Sequence, residues 1–315
     1  MLSVFVGIRC QWKGLCVLNP LSSFHLWIVA GLLGACWVLG SSTIVLGQES
    51  LDIVANAQAY FPDQSGNTWQ YRGQMIEGGV SQIGQKRFTN ISSVVGVKNI
   101  DGLRVTVFHD TNPGNQGPAD SYYYRDAAGI RYYGSKPGTA LEKQLVPYQI
   151  VRFPLEIPSS FQQFERKDLG LGMDVDRDGE MERVDIRANV QILGQEQVTV
   201  PLGSYEDALR LEARMMMTVH LTNRHVIVHG SDIMTAWFVK GIGLVKYVER
   251  QVVPSFGGQT DQVIEVIEEL EDATVHKTRA SLHWGKATPQ RVFTQNLRDH
   301  ELLQIPFPSR LHPYP

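Results

Sequence analysis

The sequence predicts an all-β (mainly β) protein, built as a strongly curved antiparallel sheet or an open or half barrel with one or two short helices. Two segments, 183–192 and 209–221, alternate strictly between apolar and polar side chains. This period of two gives a strand one buried, apolar face and one solvent-exposed, polar face, whereas a parallel sheet would bury both faces. Two turn sequences, Asp101-Gly102 and Asp126 to Gly129, indicate hairpins between further strand-like segments.

The first 47 residues are predicted to be a signal peptide or an N-terminal membrane anchor. Between Gly14 and Gln48 the chain has no Asp, Glu, Lys or Arg, and Arg9 and Lys13 precede that stretch, as in an export signal. The apolar centre, Leu26 to Leu39, is shorter than the roughly 20 residues that a membrane-spanning helix needs. We therefore favour a signal that is cleaved near Gly47, and an uncleaved anchor is the alternative.

Lipidation is a third possibility for this segment. Leu33-Gly34-Ala35-Cys36 fits the loose pattern of a lipoprotein signal, in which the cysteine is lipidated and becomes the new N-terminus. Against it, apolar residues follow Cys36, whereas a lipoprotein normally continues into a polar tether. Cys36 is otherwise one small apolar residue of the signal. Because Cys10, Cys16 and Cys36 are the three cysteines of the chain, the rest has neither a disulfide framework nor a catalytic thiol.

Strands are predicted along most of the chain between residues 68 and 252. Besides the two alternating segments and the hairpin strands within 93–108 and 122–133, they are 68–75, 148–153, 197–200, 225–228, 232–239 and 244–252. A short helical pattern covers Leu51 to Tyr60. Gln262 to Leu270 fits either a helix or a strand.

A single β-rich domain is predicted over residues 48–275, and an extended or disordered tail over 276–315. A boundary could lie in the Pro- and Gly-rich loop Asn112 to Asp120 or at Pro154 to Gly172. We prefer one domain, because neither side looks able to close a sheet alone and single all-β domains reach about 200 to 250 residues. After Val275 the chain is rich in Pro, His and Arg and has no periodicity.

The most specific motif is an acidic loop with the spacing D-x-D-x-D-G, which is that of a calcium-binding loop. The predicted ligands are Asp174, Asp176, Asp178, Glu180 (through its backbone carbonyl), Glu182 and Asp185. The last of these replaces the bidentate Glu of an EF-hand, and no helices flank the loop, so we expect an isolated structural Ca²⁺ loop that enters a strand. The alternative is a solvated acidic turn in which Asp and Gly only favour the bend.

Other groups of side chains favour structure over chemistry. His225 and His229 have H-x-x-x-H spacing, but on a strand their rings stand about 13 Å apart, too far for one metal ion. Met215 and Met217 on the apolar face could line an apolar cavity, although an ordinary hydrophobic core is more common. Five tyrosines are predicted to form a ladder across one hairpin: Tyr122, Tyr123, Tyr124, Tyr132 and Tyr133. We interpret them as stabilising the sheet, in preference to forming a carbohydrate-binding platform.

Composition and motifs also exclude several functions. A net charge of −3 disfavours nucleic-acid binding through charge. The sequence has no G-x-S-x-G elbow, Walker loop or Rossmann fingerprint, since Gly241-Ile242-Gly243 lacks the third glycine and precedes a strand. We therefore expect neither nucleic acid nor nucleotide as a partner, and no enzyme activity.

Three segments resemble the TapB-like family of uncharacterised exported bacterial proteins and lipoproteins. They are GNTWQY at 66–71, VTVPLGSYEDALRL at 198–211 and WFVKGIGLVK at 237–246. The resemblance covers about residues 60 to 250. It implies a β-rich fold of strongly curved sheet and export to the periplasm or outer membrane, with no established activity or catalytic residues. Within these motifs, we interpret Trp69 and Trp237 as core anchors.

These observations predict an exported cell-envelope protein, associated with the periplasm or the outer membrane, that meets the membrane through its N-terminal segment. We expect a non-catalytic binding or structural domain with a structural calcium loop. One alternative is a carrier of a lipid-like ligand in an apolar cavity. Another is a calcium-dependent hydrolase that uses acidic residues of the loop region, for which the sequence shows no second carboxylate or base to pair with them.

Overall fold

The computed structural model describes residues 52–79, 82–112, 117–223, 226–254 and 261–276. The predicted signal or anchor segment 1–47 with Cys36, the histidine at 225 and the tail beyond His276 lie outside the described residues. Strands make up most of the described chain, so the prediction of a mainly β fold is confirmed. No helix within these ranges is long and apolar enough to cross a membrane.

Fourteen strands, one α-helix and one 3-10 helix are found in the described residues. The strands are β1 (Asp52–Ile53), β2 (Thr68–Gly79), β3 (Gln82–Ile100), β4 (Leu103–Asp110), β5 (Ala119–Asp126), β6 (Gly129–Lys136), β7 (Tyr148–Arg152), β8 (Glu156–Ile157), β9 (Ser159–Gly170), β10 (Arg183–Val200), β11 (Gly203–His220), β12 (Ile227–Val239), β13 (Gly243–Val253) and β14 (Gln262–Thr274). The helix α1 is Ala140–Leu145, and the 3-10 helix is Ala57–Tyr60. Among the described strands, β1 pairs with β8 alone.

The other twelve described strands form one antiparallel sheet, in the order β7-β6-β5-β4-β3-β2-β14-β13-β12-β11-β10-β9. Its two edge strands come together, because the ring of Tyr148 in β7 packs 5.0 Å from the ring of Phe164 in β9. Gln144 of α1 also donates a hydrogen bond to the carbonyl of Gly170 at the end of β9 (2.8 Å). The sheet is therefore nearly closed as a barrel, in agreement with the predicted curvature.

The curvature has local causes in the strands. The pairing register shifts by one residue at several points, including Val94/Gly96 between β3 and β4 and Ile192/Gly194 between β10 and β11. Such bulges bend a strand and increase its twist. At Gly129 the close approach of β6 to β7 requires glycine, since a Cβ atom there would lie 2.0 Å from the carbonyl oxygen of Val151.

The alternation predicted for β10 and β11 is confirmed. Inward-facing side chains of both strands are buried, from Val184 to Ile192 and from Leu209 to Val219, whereas Met216 faces outward and is exposed. On the opposite wall, six aromatic rings form a ladder with neighbouring centroids 5.0 to 6.3 Å apart: Trp69, Phe108, Tyr123, Tyr132, Tyr148 and Phe164. The predicted tyrosine pairing is part of this wall, because Tyr123 stands opposite Tyr132.

Two predictions about individual elements need correction, and one that left helix or strand open is resolved. The helix predicted at Leu51 to Tyr60 is mostly wrong. Residues 52–53 pair as β1, and Asn56 with its left-handed φ of 54° separates them from the 3-10 helix. Gln262 to Leu270 is strand, because β14 fills the place between β13 and β2. The segments 225–228 and 232–239 belong to a single strand, β12, that begins at Ile227.

The possible boundary at Pro154 to Gly172 contains β8 and β9, and β9 pairs along its length with β10. The described residues belong to one unit, and the domain bounds 48–275 stay a prediction. Sequence reasoning did not find α1. Its start carries a capping box, in which the Thr139 hydroxyl accepts from the backbone N–H of Glu142 (3.0 Å) and the Glu142 carboxylate accepts from the N–H of Thr139 (3.1 Å).

The two tryptophans interpreted as core anchors differ. Trp69 is completely buried on the inner face and donates from Nε1 to the carbonyl of Ile242 (2.7 Å). Trp237 is half-buried on the outer face, where its Nε1 donates to Glu196 (2.7 Å) and the Arg210 guanidinium lies 5.5 Å from its ring. The prediction for Trp237 is therefore wrong, because its strand turns the neighbouring Phe238 inward instead.

This difference predicts unequal effects of two matched substitutions. Trp69→Ala is expected to lower the free energy of unfolding by about 3–5 kcal/mol, since it leaves a cavity in the core. Trp237→Ala should cost less than about 2 kcal/mol, because the half-buried ring leaves no closed cavity. Urea unfolding of both variants, followed by circular dichroism, measures the difference. Equal losses would contradict the inward and outward assignment.

Candidate functional site

The acidic loop between β9 and β10 brings three of its six predicted ligands together. Carboxylate oxygens of Asp174, Asp176 and Glu182 lie within 4.8 Å of one another. Asp174 shapes the turn, as its carboxylate accepts from the backbone N–H groups of Arg177 (2.6 Å) and Gly179 (2.9 Å). The loop therefore folds around the aspartate at the first position of the motif.

Glu182 closes the base of the loop. It is fully buried, and its carboxylate accepts from the backbone N–H groups of Val175 (2.8 Å) and Asp176 (3.1 Å). Asp176 Oδ2 accepts from the N–H of Asn223 (3.1 Å), whereas its Oδ1 is buried and accepts no hydrogen bond. Because buried polar atoms nearly always have a partner, this oxygen leaves a coordination position open to a cation.

The Asp178 carboxylate is not part of this group, and binding through the backbone carbonyl of Glu180 stays a prediction. Asp178 turns toward the β11–β12 loop, where its Oδ2 accepts from the hydroxyl of Thr222 (2.7 Å). Its Oδ1 accepts from the backbone N–H of Glu180 (2.8 Å), and the Glu180 side chain is exposed. The hydrogen bond from Thr222, followed by that from Glu180, lowers the pKa of Asp178.

Asp185 lies in β10, which starts at Arg183, and it points to the outer face. It accepts from the N–H of Asp168 (2.8 Å), and the Nε2 atom of His220 lies 3.4 Å from its Oδ2. The bond from Asp168 lowers the pKa of Asp185. Asp185, the last of the predicted ligands, therefore contacts Asp168 and His220 and is not among the three carboxylates that converge in the loop. His229 is exposed and contacts Thr218 Oγ1 at 3.3 Å.

A second acidic group lies inside the barrel, and sequence reasoning missed it. We call it the interior acidic cluster. Its members are Asp110 in β4, Asp232 in β12, Glu249 in β13 and Glu268 in β14. Three of them are at most 2% exposed, and Glu249 is half-buried. One signal was available in the sequence: Asp232 stands on the same alternating face as the buried Met234, Ala236 and Phe238.

Asp232 and Glu249 form a hydrogen-bonded carboxyl pair. Gln251 Nε2 bridges them, 3.3 Å from Asp232 Oδ2 and 2.6 Å from Glu249 Oε1, and the Tyr247 hydroxyl donates to Glu249 (2.9 Å). Asp232 Oδ1 is buried and accepts no hydrogen bond. Burial, and next the Glu249 carboxylate, raise the pKa of Asp232 well above its ordinary value.

Buried phenols surround these carboxyls. The pKa values of Tyr71, Tyr123, Tyr148 and Tyr247 are all raised, first by burial and then by nearby acidic groups. Asn90 Nδ2 lies 3.3 Å from both carboxylate oxygens of Glu268 and donates to them. The interior of the barrel is thus lined by carboxyl and phenol groups as well as by apolar side chains.

An open groove of about 910 Å³ lies outside the barrel, between the β1 segment and the start of β11. Two of its polar groups already have partners, since Tyr60 accepts from Gln195 (2.7 Å) and Lys240 donates to the carbonyl of Ala55 (3.4 Å). The groove therefore indicates no particular ligand chemistry.

The raised pKa of Asp232 predicts how stability depends on pH. A carboxyl whose pKa is higher in the folded state stabilises the fold at low pH. That stabilisation is lost as the pH rises from about 4, the unfolded value, through the folded pKa. Asp232→Asn should therefore stabilise the protein at pH 7 and hardly at all at pH 4. Thermal unfolding at both pH values measures this.

Asp185→Asn is the matched control, because its pKa is lowered and its contribution has the opposite sign. This variant should gain no stability at pH 7. A gain equal to that of Asp232→Asn, or a loss of stability by Asp232→Asn at pH 7, would contradict the assignment.

No family model matches the chain, and no curated protein matches it significantly. Among solved structures, a candidate lipoprotein from Parabacteroides distasonis is similar, with 12% identity, a TM-score of 0.37, and coverage of 68% of this chain and 98% of that one. A candidate exported protein with a YmcC-like fold from Bacteroides fragilis has 10% identity, a TM-score of 0.31 and the same coverage, 68% and 98%. Similarity this low assigns this chain no function, and membership of the TapB-like family stays a prediction.

Proposed function

We propose that this chain is an exported, non-catalytic protein of the cell envelope, in the periplasm or at the outer membrane, with a structural calcium ion in the loop between β9 and β10. The observation that carries the calcium site is the convergence of Asp174, Asp176 and Glu182 within 4.8 Å. Sequence supplies the argument for export, through the uncharged apolar segment within residues 1–47.

The electrostatics of the loop favour a cation. Three carboxylates this close repel one another, and Glu182 is fully buried at the base of the loop. Ca²⁺ is a hard cation that takes six to eight oxygen ligands, and carboxylates are among its usual ones. Asp174, Asp176 and Glu182 would hold the ion, and backbone carbonyls or water would complete its shell.

The neighbouring contacts favour a structural role for this ion. Asp176 and Asp178 hold the loop that joins β11 to β12, through Asn223 and Thr222. A bound cation would fix the acidic side chains that make these contacts, and so would join the ends of two strand connections. Since the carboxylates already accept hydrogen bonds from the loop itself, this arrangement favours stabilisation of the fold over hydrolysis.

The lipid-like ligand considered from the sequence has less support. A carrier of such a ligand needs an apolar cavity. The interior acidic cluster places Asp110, Asp232 and Glu268 inside the barrel instead. Carboxyl groups buried at these positions would have to be desolvated against a hydrocarbon chain, at a cost of several kcal/mol each.

Calcium is expected to raise the melting temperature of the protein. At about 100 times the dissociation constant the gain is about 2.7 kcal/mol, which corresponds to several degrees for a domain of this size. Asp176→Ala should abolish the shift, because it removes the carboxylate with the unsatisfied buried oxygen. Differential scanning calorimetry in calcium and in chelator measures both.

The control is Asp185→Asn, which lies in the same motif but has Asp168 and His220 as partners. It should keep the calcium shift. Equal melting of the unmodified protein in calcium and in chelator would contradict the calcium proposal, whatever the variants do.

Export predicts a change of mass at the N-terminus. When the full chain is expressed in a bacterium and recovered from the envelope by gentle extraction, intact mass spectrometry should show cleavage near Gly47 or a lipidated Cys36 as the first residue. Cys36→Ser separates the two, because it removes the lipid adduct but leaves cleavage near Gly47 unchanged. The full-length mass in the cytoplasmic fraction alone would contradict export.

A further inference from the structure

We infer that the interior acidic cluster, together with the phenols around it, is a binding site for an organic ammonium ion, that is, a protonated aliphatic amine. This site is separate from the acidic loop. It lies on the inner faces of β4, β12, β13 and β14, whereas the loop joins β9 to β10.

Negative charge is concentrated in this part of the interior. Asp110, Asp232 and Glu268 are nearly inaccessible to solvent. Carboxyl groups are also the charged neighbours that act on Tyr71, Tyr148 and Tyr247. Burying several carboxylates costs free energy unless each takes up a proton or faces a cation. A cationic ligand would remove that cost.

Several buried polar atoms of the described residues have no hydrogen-bond partner. Among those in the interior are Asp232 Oδ1 and the hydroxyl of Tyr123, on side chains that are 1% and 3% exposed. Tyr123 stands near Asp110 and Tyr148, and Tyr148 in turn stands near Asp232. An ammonium group donates several N–H bonds, so it would supply the acceptor Asp232 Oδ1 with a donor, and the phenol oxygen as well.

The arrangement of the interior carboxyl groups favours an organic cation over a metal ion. Among the described residues, the one set of three carboxylates that converges within 4.8 Å is the acidic loop, so the interior carboxyls are too widely spread to hold a metal ion with three carboxylates. An aliphatic amine does not need three converging carboxylates, because its charged end can pair with one carboxylate while its methylenes lie against ring faces. Tyrosine rings also attract ammonium groups through their π faces.

Two polar side chains of β13 at the site are only partly buried. Glu249 and Gln251 are both half-buried on β13, and Gln251 bridges Glu249 to the buried Asp232. Hydrogen bonds thus link these partly buried side chains to the buried Asp232. In the proposed complex, an ammonium group would displace the amide of Gln251 from the carboxyl pair.

Binding should exchange a proton for the ligand. Asp232 is faced by Glu249, Gln251 and Tyr247 of β13, by Met215 of β11, and by Tyr148 of β7 across the barrel. With no ligand, the raised pKa of Asp232 favours the protonated form of the carboxyl pair. When the ammonium ion binds, that proton leaves to solvent, so one positive charge replaces another and the net charge of the site is unchanged.

Putrescine and spermidine are the probes. Each should raise the melting temperature at pH 7 by about 5 °C at about 100 times its dissociation constant. Sodium chloride of equal ionic strength should not. Isothermal titration calorimetry in two buffers with different ionisation enthalpies should show release of up to one proton per ligand. If the amines shift melting no more than the salt does, the inference is overturned.

Variants locate the site. Asp232→Asn should weaken amine binding at least about tenfold and abolish proton release, since it removes one charge of the pair. Tyr123→Phe should weaken binding without affecting proton release. Glu265→Gln on the outward face of β14 is the matched control and should bind as the unmodified protein does. Equal weakening by Glu265→Gln and Asp232→Asn would overturn the inference.

The calcium proposal can fail independently of this one. Asp176→Ala should lose the rise in melting temperature with calcium and keep the rise with amines. Asp232→Asn should keep the rise with calcium and lose the rise with amines. An amine shift that disappears with Asp176→Ala would place the ligand in the acidic loop and overturn the interior site.

Discussion

Closure of the sheet is the constraint on which the rest of the structure depends. Once β7 meets β9 through Tyr148 and Phe164, the inner faces of the strands share one interior. Glu142 stabilises the contact between these edge strands in two ways. It caps α1, which lies beside β9, and its carboxylate accepts a hydrogen bond from the hydroxyl of Tyr132 in β6. A side chain that points inward on any strand must then find its partners within that common space, whatever its distance along the chain.

The two acidic sites follow from this constraint in different ways. In the loop between β9 and β10, backbone N–H groups of neighbouring residues stabilise Asp174 and Glu182, so the charge is compensated locally. Inside the barrel, carboxyls from four strands line the common interior, and they accept hydrogen bonds from Asn90, Gln251 and Tyr247. The first site is built from consecutive residues and the second from the topology of the sheet.

This distinction explains what the sequence could predict. Alternation is a local property, so β10, β11 and the spacing of Asp174 and Asp176 were accessible from the residues alone. The same alternation also accounts for two errors, since it turns Asp185 and Trp237 to the outer face. The interior acidic cluster needs the pairing order of twelve strands, which no local pattern contains. Asp232 alone was recognisable, as a carboxyl on an otherwise apolar face.

A carboxyl pair in a barrel interior lowers stability, so its presence requires a physical reason. Apolar residues of similar size at Asp232 and Glu249 would pack against Met215 and Met234 without any cost of desolvation. Proteins depart from the most stable choice of residue chiefly at functional sites. Strand pairing does not need these side chains, since the backbone of β12 and β13 supplies that register by itself. What the pair adds to the barrel is a place where a proton or a cation can be held and released, which an apolar interior of the same shape could not provide.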